Sequence, residues 1–309
     1  MSASTLRGLV LSGTGGVWRV RAADGTERDV SLRGRLKQND RDKLAVGDDV
    51  DIAEDMRGGA WSITGIHPRR TQLARRAPGG GRGERIVVAN VDQVVIVFAI
   101  AKPEPHVRMI DRFLVIAEGN EIPARVVFNK VDLAATPDEV ETLAGNYERA
   151  GYPVHRTSVK QNVGLDALRA VLVNRVTALT GPSGVGKSSL INALYPGLGL
   201  RVGEISESVN KGRHTTVGAV LVPLPDGGYV VDTPGLREVG MWGLPSASLD
   251  SCFPELRPML GECRFQDCRH LAEPACAVRA AVERGDVSPA RYESYAKLVA
   301  ELTEAERLY

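Results

Sequence analysis

The order of three short segments constrains this chain more than any other feature. Asn129-Lys130-Val131-Asp132 comes first, Gly181-Pro182-Ser183-Gly184-Val185-Gly186-Lys187-Ser188 second, and Asp232-Thr233-Pro234-Gly235 third. Each comes directly after a strand-like apolar run: Ala124 to Phe128, Arg175 to Thr180 and Tyr229 to Val231. The middle segment also leads into a helix-like stretch, Ser188 to Leu194. Strand, glycine-bearing loop and helix in that order lay backbone N–H groups at a helix N-terminus, which is an anion site. All three segments fall at strand C-terminal ends, where open α/β sheets bind ligands.

The second segment fits a phosphate loop. Its N–H groups from Ser183 to Ser188 are expected to cradle phosphates, with Gly181 and Ser189 also in the nucleotide-binding set. Gly184 and Gly186 let the chain approach closely. Lys187 is expected on the β- and γ-phosphates, and the Ser188 hydroxyl on Mg2+. Asp232 is expected to hold the same ion, and Gly235 to offer its N–H to the γ-phosphate. In the first segment Asp132 can accept two hydrogens from a guanine edge. Adenine has no such pair and would strand the carboxylate, so GTP is favoured over ATP. Asn129 is expected to support the base edge and Lys130 to pack across it. Ser158 belongs to a loop offering N–H to the guanine oxygen. Ras-like GTPases carry these parts with the phosphate loop first, so the chain reads as circularly permuted. The chain beyond Asp232 would then be tied to nucleotide state.

With 309 residues, two or three domains are expected. The longest apolar run, Val94 to Ala101, is too short to span a bilayer, and no secretory signal is expected. Residues 1–85 hold 16 Lys/Arg against 11 Asp/Glu, while residues 246–309 hold 8 against 11. Residues 1–72 show short alternating strands between glycine turns, which suggests an all-β barrel of OB-fold type. Residues 73–85 read as a basic, glycine-rich linker, either solvated or clamping an RNA backbone. Residues 86–243 form the α/β nucleotide domain. In it Thr136-Pro137-Asp138-Glu139 starts a helix, and Ile110, Phe113, Leu114 and Ala117 mark a core stripe.

Residues 244–309 read as a mainly helical, metal-binding domain. Cys263, Cys268, His270 and Cys276 lie within fourteen residues, a Cys3His set that suits one structural Zn2+. Cys252 is expected in the core instead. Ser288-Pro289 is expected to cap a long helix whose face of Tyr292, Tyr295, Leu298, Val299 and Leu302 docks the tail on its own protein. Deleting residues 246–309 is expected to leave GTP binding largely intact if the domain remains soluble, and to blunt the difference in subunit affinity between GTP-analogue and GDP states.

The permuted motifs, the barrel and the Cys-x4-Cys-x-His-x5-Cys tail together resemble the small-ribosomal-subunit-dependent GTPase A family (RsgA/YjeQ) along essentially the whole chain. Ala89-Asn90-Val91-Asp92-Gln93 and Gly212-Arg213-His214-Thr215-Thr216 agree with it. The resemblance implies a cytoplasmic GTPase, expected as a monomer, that acts late in maturing the small ribosomal subunit. It also implies rRNA binding and ribosome-stimulated hydrolysis. Thr216 is expected to close switch I onto Mg2+, with Thr215 as its neighbouring candidate. Leu236 stands where Ras-like enzymes place a water-orienting glutamine. His214 is the local candidate for that task, alongside Thr216 and Lys187. Two rival readings are an RNA-binding scaffold with GTP as regulatory ligand, and a permuted GTPase of the large subunit.

Overall fold

The computed structural model describes residues 5–32, 44–55, 59–76, 84–200, 219–232 and 244–307. His214, Thr215, Thr216, Gly235 and Leu236 lie outside the described residues, as do the middle of the basic linker and the side chain of Asp232.

Five strands close a barrel: β1 (Thr5–Thr14), β2 (Val17–Ala22), β3 (Glu27–Leu32), β4 (Asp49–Glu54) and β5 (Trp61–Ile66), in the order β1-β2-β3-β5-β4. Alternation sends Val10, Val20, Val30, Val50, Ile52 and Ile63 into its core. Sequence reading missed β3, because in Glu27-Arg-Asp-Val-Ser-Leu only Val30 and Leu32 face inward. The ends of the supposed linker are ordered as an antiparallel pair, β6 (Gln72–Arg76) with β7 (Glu84–Ala89), and Leu73 there is fully buried.

The remaining strands are β8 (Gln93–Ala99), β9 (Ala124–Asn129), β10 (Val154–Thr157), β11 (Val176–Thr180), β12 (Leu221–Pro223) and β13 (Tyr229–Asp232). Their order in one sheet is β10-β9-β8-β11-β13-β12. Where β10 meets β9 and β11 meets β13 the pairing is parallel, and β12 is antiparallel. Every residue of β8 is buried, as expected for a central strand. Six α-helices are described: α1 (Val107–Gly119), α2 (Pro137–Arg149), α3 (Leu165–Leu172), α4 (Lys187–Leu194), α5 (Ala277–Arg284) and α6 (Pro289–Arg307). Thr136 caps α2, its hydroxyl accepting from Glu139 N, while the Glu139 carboxylate reaches back to Ala135 N.

Two compact units divide the chain. The first holds the barrel, the β6–β7 pair and the segments carrying α3, β11, α4, β12 and β13. The second holds residues 95–165, the loop Gly181–Gly186 and the tail.

Within the second unit the tail packs on α1. Tyr295, Leu298, Val299 and Leu302 are buried on α6, as their spacing predicts. The stripe also includes Arg291, which is 1% exposed. Its guanidinium pairs with Asp111 of α1 and with Glu255, the latter at 2.7 Å, and lies 4.6 Å from the Phe253 ring centroid. Burial pushes the Asp111 carboxyl up, against the pull of Arg291. Ion pairs Arg112–Glu301 and Arg257–Glu118 flank this contact. α6 starts at Pro289 with the Ser288 carbonyl accepting from Tyr292 N at 3.0 Å, and the Ser288 hydroxyl donates to Asn146 of α2 at 3.1 Å.

Candidate nucleotide site and metal cluster

β9 delivers Asn129 into the second unit with 2% of its surface exposed. Its Nδ2 donates to Val185 O in the glycine loop at 2.9 Å, and its Oδ1 accepts from the Thr157 hydroxyl at 3.1 Å. The next residue, Lys130, takes a left-handed backbone with φ 59°. That turn aims its ammonium at two carbonyls, Gly184 O and Lys102 O, each at 2.6 Å. Two residues on, Asp132 Oδ1 accepts from the buried Ser158 hydroxyl at 2.6 Å. One carboxylate oxygen is thereby oriented and its partner stays available to a ligand. Gln161 N donates to the same hydroxyl at 3.1 Å, fixing the Ser158 loop.

The glycine loop closes against this turn. Gly186 has φ +95°, and a Cβ there would sit 2.6 Å from Asn129 Nδ2. Only glycine leaves room for the Asn129 amide. The loop residues Ser183 and Gly184 are exposed, whereas Val185 is buried and anchors them. In the first unit, Lys187 and Ser188 open α4 and are 6% and 7% exposed. Asp232 ends β13 opposite Leu179 of β11, two residues before Gly181 in the chain.

Asn129, Lys130, Asp132, Ser158 and the loop from Gly181 to Gly186 are thus brought together, although 49 positions separate Asp132 from Gly181. Sequence reading missed Lys102, whose role runs through a backbone carbonyl that leaves no side-chain signature. Thr157 was visible only as part of its loop.

The tail gathers Cys263, Cys268, His270 and Cys276 with all ligand atoms within 4.8 Å of one another. Cys263 Sγ and Cys276 Sγ are 3.9 Å apart, and they lie 3.5 and 3.4 Å from His270 Nδ1. A tetrahedral Zn2+ with ordinary bond lengths requires edges of about 3.8 Å between sulfurs and about 3.6 Å from sulfur to nitrogen. The donors therefore fit such an ion. His270 Nε2 stands 3.5 Å from Asp250, a carboxylate in position to hold the tautomer that leaves Nδ1 free. Ala277 N donates to Cys263 Sγ at 3.3 Å, and the Tyr292 hydroxyl donates to His270 O at 2.7 Å. Glu273 is partly desolvated, yet backbone N–H groups of Arg269, Leu271 and Ala272 hold its carboxyl down at about 2, bracing the loop. Cys252 stands apart as a buried thiol, pushed up to about 11 by burial.

Among the described residues no helix is long and apolar enough to cross a membrane. A sequence model of the RsgA GTPase family matches residues 66–242. The chain is 59% identical over 305 residues to the small ribosomal subunit biogenesis GTPase RsgA of Gemmatimonas aurantiaca, covering 98% of this chain and 99% of that protein. It is 40% identical over 304 residues to the protein of the same name from Moorella thermoacetica, covering 98% and 100%. Among solved structures, YjeQ from Thermotoga maritima aligns with a TM-score of 0.80 at 35% identity, covering 97% of this chain and 99% of that one. YloQ, described as a circularly permuted GTPase, aligns at 0.77 with 28% identity, covering 98% and 96%. The reversed motif order, the closed barrel, the Cys3His cluster and near full-length identity converge: this chain belongs to the RsgA GTPase family.

Proposed function

We propose that this protein hydrolyses GTP to GDP and phosphate in the biogenesis of the small ribosomal subunit, and that its nucleotide state governs binding to that subunit and its rRNA. The observation that carries this reading is the bond from Asn129 to Val185 O, which sets the base-reading turn against the phosphate loop. The near full-length likeness to relatives named as small ribosomal subunit biogenesis GTPases supplies the biological setting.

Asp132, oriented by Ser158, accepts the N1 and N2 hydrogens of guanine. Lys130 braces the loop while its alkyl chain covers the base. The loop N–H groups from Ser183 to Ser188 take the phosphates, and Lys187 neutralises charge as the γ-phosphoryl departs. Ser188, Asp232 and Thr216 are the residues that would hold Mg2+, which when bound polarises the phosphate oxygens. Gly235 donates to the γ-phosphate. Leu236 cannot orient water, so intrinsic turnover is slow and His214 performs that task on the small subunit. Cys263, Cys268, His270 and Cys276 hold one structural Zn2+, a closed ligand set with no open position for catalysis. The protein acts as a cytoplasmic monomer.

Co-sedimentation with purified small and large subunits tests the partner. Binding to the small subunit that differs between GTP analogue and GDP supports the assignment. Equal binding to both subunits, or none to the small one, refutes it.

A further inference from the structure

The segment Asn90-Val91-Asp92-Gln93 has no part in the nucleotide chemistry above, yet its polar side chains are all committed. Asn90 is 4% exposed and left-handed, with φ 54°. Its Nδ2 donates to Gly47 O of the barrel at 2.9 Å, and its Oδ1 accepts from Arg70 N at 2.9 Å. Ala89 N donates to Val46 O at 2.8 Å. Gly47, with φ +89°, is pressed so closely that a Cβ there would lie 2.1 Å from Ala89 O. Gly47 N in turn donates to Val10 O of β1 at 2.8 Å.

Two residues beyond Asn90 the same segment seizes the strand that feeds the phosphate loop. Asp92 N donates to Val176 O, and Val176 N donates to Asp92 Oδ2, each at 2.8 Å. The other carboxylate oxygen accepts from Arg70 Nη1 at 2.9 Å. Gln93, fully buried, donates to Val171 O at 2.6 Å and to the Thr177 hydroxyl at 2.9 Å. Arg70 is therefore bonded at both ends of the segment, its backbone to Asn90 and its guanidinium to Asp92. From Gly47 to Val176 every step is a direct hydrogen bond, and the one onto Val176 is charge-assisted.

We propose that Asn90 to Gln93, with Asp92 fastening the start of β11, form the rigid joint through which the barrel and β11 sense one another. The proposal rests on the GTPase reading above. A load on the barrel is passed to the start of β11 and along it towards Gly181, not lost in a loose connection. Coupling is reciprocal in binding free energy, so nucleotide on the loop must also change the barrel.

Amide hydrogen exchange on the full chain, with and without a non-hydrolysable GTP analogue and Mg2+, tests this without ribosomes. In the wild type, the analogue should slow exchange at residues 181–188 and also, by about threefold or more, at residues 44–50. In Asp92→Ala the loop should still respond while the barrel response disappears. Arg70→Met changes a largely exposed side chain and decides the matter if Asp92→Ala does not fold. It should lose most of the barrel response, and Arg70→Lys should restore it. A barrel indifferent to nucleotide in the wild type, or equally responsive in Arg70→Met, overturns the joint. A loop that shows no protection by the analogue overturns the nucleotide site itself, and the joint with it.

Discussion

Asn129 Nδ2 donates to Val185 O at 2.9 Å, joining the residue proposed to support the base to the glycine loop that comes later in the chain. In a Ras-like order the loop would come first. Here the covalent path is reversed, and the bond depends on where the fold places the end of β9 and the glycine loop, not on which is synthesised first.

Gly186→Ala should therefore damage both functions at once. The added Cβ falls 2.6 Å from the Asn129 amide at a backbone angle that L-residues avoid. GTP affinity should fall at least tenfold, or about 1.4 kcal/mol. Calorimetric titration of the folded variant checks this, and wild-type affinity would mean that the loop is not closed on Asn129.

Asp132→Asn should exchange guanine for xanthine selectivity. Two hydrogen bonds to a charged acceptor are lost, each worth roughly 1.5–3 kcal/mol, so GTP affinity should drop about a hundredfold or more. Xanthosine triphosphate should gain affinity, since an amide matches its 2-oxo edge. Unchanged GTP binding would remove Asp132 from the base site.

One Zn2+ per chain is expected. Metal analysis should show it lost in Cys268→Ser and retained in Cys252→Ser, because Cys252 is outside the cluster and buried as a thiol. Ligation energy is folding energy at such a site, so chelation should also loosen the tail. Zinc lost from the Cys252 variant would contradict the ligand set.

Arg291→Ala should destabilise the protein by about 3–5 kcal/mol, because it leaves Asp111 and Glu255 buried without their counter-charge. Denaturant unfolding measures this. A change under about 1 kcal/mol, the scale of an exposed pair, would mean the tail is not fastened through this contact.

The strands that carry the site were legible because β9, β11 and β13 are apolar runs ending in chemically distinctive residues. Strand β3 was not, since two inward side chains out of six make a weak alternation. In the tail, Tyr295, Leu298 and Leu302 announced the buried face of α6. Arg291 lies one helical turn before Tyr295 on that stripe, and its position could have marked it as buried had its charge not suggested solvent. Deleting residues 246–309 would strip the partner from Asp111 on α1, so the condition that the truncated nucleotide domain stay soluble is expected to fail. Contacts made through backbone, such as Lys102 O with Lys130, left nothing in the sequence to read.

Single-turnover GTP cleavage with and without small ribosomal subunits tests the central claim most directly. Slow cleavage by the free protein, accelerated at least tenfold by small subunits and abolished in Lys187→Ala, is the predicted result. Equal rates with and without subunits, or cleavage that survives Lys187→Ala, would contradict it.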